Sequence, residues 1–391
     1  MEFLKDVRVL EVSLFSPDAL GGHLADLGAE VIKIEPPSGG GFRGPAGIQG
    51  ADLQNTQWNR GKKSVTLNLK SVEGVEAFRR LAATSAVVID GLRHGAAKRL
   101  GIGFDDMVAV NPQIVYCVLN GMGSFGPYAQ LPTHGLSFDC FAGLNPPIID
   151  SDGTPRLSAA ATGTTGVLAG PLYAAMGVLA ALHAAGRDGS PQYVEVAQVD
   201  AAINWNFQNL TALANGQQSY GAGVQASLRY QYYESSDGNY VVFNALEDKF
   251  WVRFCEATDR MDLLEPGRVH PGQDGEAEDY VRRELTAIFK SRTRSQWIEF
   301  FIATNIAGAP AYQGADLFED AHAKARQLTY EESQPNGSTK RLIGTCIKTD
   351  GEREFAPSPA PAVGEHTEEV LTTLAGYDAG DVDRFRSIGA I

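Results

Sequence analysis

Residues 162–182 read TGTTGVLAGPLYAAMGVLAAL. Small hydroxyl residues and glycines run into a long apolar segment, the build of an active-site loop feeding a buried helix. Yet the stretch holds no carboxylate, no imidazole and no ammonium. Nothing in it can move a proton, and no base stands beside a hydroxyl to activate it. Thr164 and Thr165 therefore read as helix-capping hydroxyls rather than nucleophiles. Upstream, THGLSFD (133–139) offers His134 and Asp139. Asp139 reads as a polar position on a helix LSFDCFAGL, and a lone histidine beside prolines is commonly a surface residue. A third stretch, GMGSFG (121–126), matches G-x-G-x-x-G after a strand. That fingerprint binds a dinucleotide only when a helix starts inside it, and here PYAQLPTHG follows, with two prolines in six residues. A glycine turn beside a ligand cleft is the better reading.

Composition narrows the classes. The 391 residues are 43% hydrophobic and 20% charged, the balance of a globular protein. Lysine and arginine total 33 against 47 acids, a net charge of −14, which argues against nucleic-acid binding through phosphates. Cys117, Cys140, Cys255 and Cys346 form no CxxC pair, so neither a zinc site nor a disulfide framework is expected, and all four read as buried thiols. The opening MEFLKDVRVLEV carries acids early and lacks an apolar run of signal-peptide length. The run Val167–Ala185 contains glycines, a proline and His183, and reads as a buried helix rather than a membrane span. The expectation is a cytoplasmic protein with no metal, nucleic-acid or membrane partner.

Elements to position such residues are legible. VRVLEV (7–12), EVIKIE (30–35), SVTLNL (64–69), AVVIDG (86–91) and QIVYCVLNG (113–121) read as buried strands. SPDALGGHLADLGA, VEGVEAFRRLAATS (72–85) and the segment around GAAKRLG read as helices between them. This βαβ rhythm predicts a doubly wound α/β domain over 1–200. LRYQYYESSDGNYVVFNAL (228–246) reads as two strands joined at Ser236-Asp237-Gly238, and SQWIEFFIAT (295–304) as a helix. A smaller α+β domain is expected over 201–330. A C-terminal segment, 331–391, with the Pro-rich EREFAPSPAPAVGEHTEEV (352–370), is expected to return to the first domain.

Five stretches resemble the family III CoA-transferases, the CaiB/BaiF family that also contains α-methylacyl-CoA racemases. They are LADLGAEVIKIEPP (24–37), NRGKKSVTLNLKSVEG (59–74), IDGLRHGAAKRLGIGFDDM (89–107), NPQIVYCVLNGMGSFGPYA (111–129) and GSPQYVEVAQVDA (189–201). The resemblance implies a Rossmann-like large domain, a smaller domain and an interlocked dimer, either of one chain or with a homologous chain. It implies an acyl-CoA thioester as ligand, with coenzyme A as substrate or acyl carrier and no tightly bound cofactor. The CoA-facing positions it implies are Arg60, Lys62, Leu67, Lys70, Gly91, Leu92, Arg93 and Arg99. Cations gathered on strand ends of so acidic a chain agree with a phosphate-bearing ligand.

The same resemblance exposes a gap. The transferases carry an aspartate ahead of the helix that here reads PLYAAMGVLAAL; its carboxylate attacks the thioester. That position falls on Gly166 or Val167. His134 and Glu247, in NALEDKFW (244–251), instead match a racemase-type His–Glu pair, in which the glutamate holds the tautomer of the histidine. The aspartate that follows this histidine in the family is Gly135 here, and the proline after the glutamate is Asp248. Asp139 is a candidate displaced carboxylate. Three functions follow as expectations. The first is α-proton chemistry on an acyl-CoA by His134 supported by Glu247, with enolate charge held by N–H groups of residues 163–170. The second is CoA transfer without the usual aspartyl nucleophile. The third is a catalytically silent subunit.

Overall fold

Strands that are apolar on both faces need helices on both sides, and the chain supplies them. The computed structural model describes residues 1–40, 50–159, 161, 163–219, 227–269, 274–334, 336–349 and 355–391. Two compact units emerge: Met1–Phe207 with Gln327–Ile391, and Gln208–Arg326.

The first unit opens β1 (Arg8–Val12), α1 (Asp18–Asp26), β2 (Glu30–Glu35), α2 (Ala51–Asn59), β3 (Lys63–Thr66), α3 (Val72–Ala83) and β4 (Val87–Asp90). Then follow α4 (Ala96–Leu100), α5 (Phe104–Val110), β5 (Val115–Asn120), α6 (Gly135–Phe141), the short pair β6 (Ile148–Ile149) and β7 (Pro155–Arg156), α7 (Thr165–Asp188), β8 (Gln192–Ala197) and α8 (Gln198–Trp205), while α9 (Phe207–Ala214) belongs, after Phe207, to the second unit. Six parallel strands form one sheet in the order β3-β2-β1-β4-β5-β8. The order reverses between β1 and β4. In such sheets the crevice beyond the carboxyl ends at this reversal is the usual ligand site.

Alternation sorts the side chains. Leu10, Ile32, Val65, Val88 and Tyr116 face α3, with Phe78 and Leu81. Val9, Val31, Ile89, Cys117 and Leu119 face α1 and α7, with Leu24, Ala174 and Val178. α7 is long and apolar enough to cross a membrane by length and composition. Its alanine face lies against the central sheet, the place of a core helix. No helix begins within residues 121–126: β5 ends at Asn120 and α6 begins at Gly135, which disposes of the dinucleotide fingerprint. Two cysteine expectations are corrected. Cys117 and Cys255 are buried, but Cys140 and Cys346 are exposed, because each falls on the solvent side of its segment.

In the second unit, β9 (Tyr230–Glu234) and β10 (Tyr240–Asn244) make the hairpin expected around Ser236-Asp237-Gly238, and β11 (Gly308–Ala311) joins it antiparallel. Helices α10 (Asp248–Ala257), α11 (Gly275–Phe289) and α12 (Arg294–Thr304) bury Trp251, Phe254, Phe289, Trp297 and Phe301 against that sheet. The unit also holds α13 (Ala321–Ala325). The chain then returns to the first unit with the hairpin β12 (Thr329–Ser333) and β13 (Thr339–Ile343), followed by α14 (Thr367–Thr373) and α15 (Ala379–Ser387). Residues 352–354 of the Pro-rich segment lie outside the described residues.

Candidate active site

At the carboxyl ends of β1 and β2 lies a buried cluster of opposite charges. Lys62 Nζ meets Glu11 Oε2 at 2.6 Å, and Lys33 Nζ meets Asp18 Oδ1 at 2.5 Å. Lys62 also donates to the carbonyl of Asp18 (2.7 Å) and to Asn59 Oδ1 (3.0 Å). The Ser13 hydroxyl lies 2.5 Å from Glu11 Oε1 and 2.6 Å from Asp18 Oδ1. Burial presses against the charge on each group. The Lys33 and Lys62 ammoniums overcome it and hold the Asp18 carboxyl below its usual range. Asp18 and Glu11 likewise hold Lys33 above its own.

This network corrects two ligand assignments. Lys62 faces inward, its charge spent on Glu11. Arg60, 5% exposed, pairs bidentately with Asp26 at 3.0 and 2.6 Å, donates to the carbonyl of Ile343, and sits over the Phe355 ring. Both are structural cations. Leu67 is likewise in the core rather than facing a ligand, because β3 turns it onto the α3 side of the sheet.

Lys70, Arg93 and Arg99 behave differently. All three are exposed, and none has an ion pair among the described residues. Lys70 and Arg99 line one cleft of about 330 Å³, together with Ser71, Glu76 and Arg79. Arg79 is anchored to the Gly101 carbonyl at 3.0 Å. Arg93 lies in the loop after β4. There Asp90 accepts the Leu92 N–H (3.0 Å) and the Tyr116 hydroxyl (3.1 Å). Burial pushes the Asp90 carboxyl up to about 6, against the lowering pull of those two bonds. Gly91 is a close-approach position: a Cβ there would lie 2.6 Å from Ser13 Cβ and 2.8 Å from Pro17 Cβ. The loops after β1 and β4 therefore meet without room for a methyl group, so the bottom of the switch-point crevice is filled.

At the start of α7, where the resemblance implies an aspartate at Gly166 or Val167, a carboxylate from α6 is found instead. Asp139, 1% exposed, accepts the backbone N–H of Thr165 at 3.0 Å through Oδ2 and that of Gly166 at 2.9 Å through Oδ1. It is no surface polar residue; it satisfies orphan donors at the start of α7. Of the N–H groups in 163–170 expected to face an enolate, those of Thr165 and Gly166 are taken by Asp139. Side chains are also shut out. A Cβ on Gly166 would lie 2.7 Å from Phe138 Cβ and 2.8 Å from the Gln198 carbonyl oxygen. A Cβ on Gly135 would lie 2.3 Å from the Gly163 carbonyl oxygen. Gly135, and Gly166 of the Gly166 or Val167 alternative, thus stand where the neighbouring atoms leave no room for a side chain. Thr162 lies outside the described residues.

His134 is exposed, immediately before α6, and its carbonyl accepts the Ser137 N–H at 2.8 Å. Glu247 is exposed in the second unit, immediately before α10, where its carbonyl accepts the Phe250 N–H at 2.9 Å.

One relationship has no local signature in the sequence. Ser16 and Gln198 pair side chain to side chain, at 3.0 and 3.1 Å, across 182 residues. Between Ser13 and Ser16, Phe15 adopts φ +64°, a left-handed conformation that costs a bulky residue about 1–2 kcal/mol. Non-glycine residues in this region are read from coordinates, not from composition.

A doubly wound α/β unit whose exposed cations lack ion pairs among the described residues is of the open-sheet class, in which ligands usually bind beyond the carboxyl ends of the strands. The sequence profile of CoA-transferase family III matches residues 4–367, and the chain belongs to that family. It is 28% identical to the (R)-2-hydroxy-4-methylpentanoate CoA-transferase of Clostridioides difficile, covering 98% of both chains. It is 30% identical to the succinyl-CoA:mesaconate CoA-transferase of Haloarcula marismortui, covering 97% of this chain and 98% of that one. It is 27% identical to the succinyl-CoA–L-malate CoA-transferase beta subunit of Chloroflexus aurantiacus, over 98% and 97%. Among solved structures, Rv3272 of Mycobacterium tuberculosis superposes with a TM-score of 0.73 at 27% identity, covering 93% of this chain and 97% of that one. A CaiB/BaiF family protein of Brucella suis gives 0.72 at 25%, over 94% and 98%. The chain is an enzyme of this family, whose coenzyme A thioesters are substrates.

Proposed function

We propose that this enzyme moves coenzyme A from an acyl-CoA to a free carboxylic acid without a carboxylate nucleophile of its own at α7. The observation that carries this is Asp139, buried with each oxygen on a backbone N–H, beside glycines that admit no side chain. The acceptor acid then attacks the thioester directly. Its oxygen bonds to the acyl carbon, the C–S bond breaks, and the CoA thiolate leaves a mixed anhydride. The thiolate next attacks the acceptor's carbonyl carbon and releases the donor acid. The relatives named as CoA-transferases, each matched over nearly the whole chain, support transfer over racemisation. Lys70, Arg93 and Arg99 would hold the phosphates.

The test is kinetic and by mass. Direct transfer predicts sequential kinetics and no enzyme–CoA adduct, with ¹⁸O from labelled acceptor found in the released donor acid in one turnover. A CoA-sized mass increase on the intact protein would sink it.

His134 supports a second reading, because it is an exposed base one residue from the Gly135–Gly163 contact. In that reading it takes the α-proton of an acyl-CoA. Exchange of α-deuterium lost in His134→Ala would favour it. A second chain, identical or homologous, is proposed to cover the exposed stripe Leu168, Leu172, Met176 and Leu179 on α7. The exposed, unpaired Cys140 and Cys346 fit a reducing compartment such as the cytoplasm.

A further inference from the structure

The segment 91–101 carries Arg93 and Arg99, both exposed and both assigned above to the phosphates. Its regular part is α4, five residues long, too short to hold itself together in water. The rest of the fold must therefore hold its ends. At the entrance, Asp90 Oδ1 accepts the Leu92 N–H at 3.0 Å. At the exit, Arg79 donates to the Gly101 carbonyl at 3.0 Å. One side chain reaches both ends. The Tyr116 hydroxyl, on β5, lies 3.1 Å from Asp90 Oδ2 and 3.1 Å from the carbonyl of Ile102.

With Asp90 ionised, this junction is one hydrogen short. A carboxylate and a carbonyl are both acceptors, and a phenol has one hydrogen to give. Either Asp90 Oδ2 or the Ile102 oxygen then loses its full bond, at a place where Tyr116 and Ile102 are each 2% exposed. One proton on Asp90 Oδ2 satisfies all three groups. The acid donates to the Tyr116 oxygen, Tyr116 donates to Ile102, and Oδ1 stays with Leu92. Burial drives the carboxyl the same way, up to about 6. Four other titratable groups bear on the junction. His94, from the same loop, favours the carboxylate when charged. Cys117 on β5 and Tyr193 on β8 feel the Asp90 charge, and Asp106 on α5 acts on Tyr116.

We propose that a proton held between Asp90 and Tyr116 locks both ends of segment 91–101, so that these two are positioning residues for the coenzyme A contacts of Arg93 and Arg99. This rests on the coenzyme A reading given above. Loss of the proton frees one end of the segment. Binding therefore weakens as pH rises through the titration of Asp90, and bound coenzyme A in turn favours the protonated acid.

The test measures the dissociation constant of CoA at about pH 5 and about pH 7.5 for wild type, Asp90→Asn and Tyr116→Phe. Asparagine keeps Oδ1 for Leu92 and gives Tyr116 a permanent N–H, so it copies the protonated acid. The 3′-phosphate of CoA itself titrates at about 6, and dividing each constant by that of Asp90→Asn at the same pH removes this contribution. The wild-type ratio should be near one at the lower pH and rise about fivefold at the higher, the worth of one hydrogen bond. In Tyr116→Phe the ratio should be raised at both, without a step. A flat wild-type ratio overturns this inference alone. So does a full step in Tyr116→Phe, since the charge of Asp90 would then act without the relay. Infrared difference spectra of the wild type at about pH 6.5 decide the matter should a variant not fold. Adding CoA should strengthen a protonated-carboxyl band, and no gain overturns the proposal. A wild type that binds no CoA at either pH overturns the coenzyme A reading and this inference with it.

Discussion

Asp139 Oδ1 and the backbone N–H of Gly166 meet at 2.9 Å, tying α6 to the first turn of α7. This bond and its twin to Thr165 decide what chemistry the start of α7 can do. Relatives of this chain are expected to present a carboxylate there to the ligand; here a carboxylate faces the helix instead.

If Asp139 is a cap, Asp139→Asn keeps its shape and loses charge and one acceptor. Urea unfolding should show a loss of about 1.5–3 kcal/mol, the scale of hydrogen bonds to a charged group. Turnover corrected for folded fraction should survive. Its disappearance, by the orders of magnitude typical of a lost nucleophile, would recast Asp139 as the attacking group.

Glycine at 166 is a steric requirement, so Gly166→Ala should destabilise by about 1–3 kcal/mol through overpacking on Phe138 and Gln198. Val167 is partly buried against the small cluster around Phe138. Val167→Asp should fold with a smaller loss and create a carboxylate in the first turn. Intact-protein mass spectrometry after incubation with acyl-CoA should then reveal a covalent CoA adduct absent from wild type. No adduct would mean that carboxylate position alone does not restore the covalent route.

Asp90 predicts a pH effect of definite sign. Its folded carboxyl titrates at about 6 against an ordinary 3.8, so between these values the folded state holds a proton that the unfolded state has lost. The contribution of this group therefore falls as pH rises from about 4 to 6, by about 3 kcal/mol at most. Asp90→Asn should remove that slope and raise stability at neutral pH. Unfolding free energies at pH 4.5 and 7.5 for both proteins provide the check, and parallel curves would refute the assignment.

Much of the fold was legible because its strands are apolar on both faces. EVIKIE was read at 30–35 and found there, and VRVLEV and QIVYCVLNG each lost one to three end residues to loops. The site was less legible, for a physical reason. A lysine or arginine on a strand looks the same whether its counter-charge is a ligand phosphate or a buried carboxylate. Lys62 and Arg60 were read as the first and proved to be the second. Lys70 and Arg99 share the same local pattern, yet the fold leaves them exposed on one cleft. The sequence presents Asp139 as a polar helix position or a displaced carboxylate, not as a cap, because its partners lie 26 and 27 residues away. No periodicity encodes that distance.

The Lys62–Glu11 pair carries its own prediction. Lys62→Met should cost about 3–5 kcal/mol by stranding a buried carboxylate, and adding Glu11→Gln should recover part of it. Coenzyme A affinity of whatever folds should be little changed. A selective loss of affinity, with stability intact, would return Lys62 to the ligand.

The central sheet depends on residues 367–390. The N–H of Asn68 donates to the Ala390 carbonyl at 2.7 Å, Thr66 N–H to Thr367 Oγ1 at 3.0 Å, and Val370, Leu371, Val382 and Phe385 share one core with Phe78 and Leu81. A ribosome making this protein exposes the edge at β3 early and delivers its cover only once residues 367–390 have emerged, while the intervening Gln208–Arg326 unit can fold on its own schedule. The nascent chain thus carries an unfinished flank from β3 until α14 and α15 arrive, and removal of residues 367–390 would leave that flank permanently open.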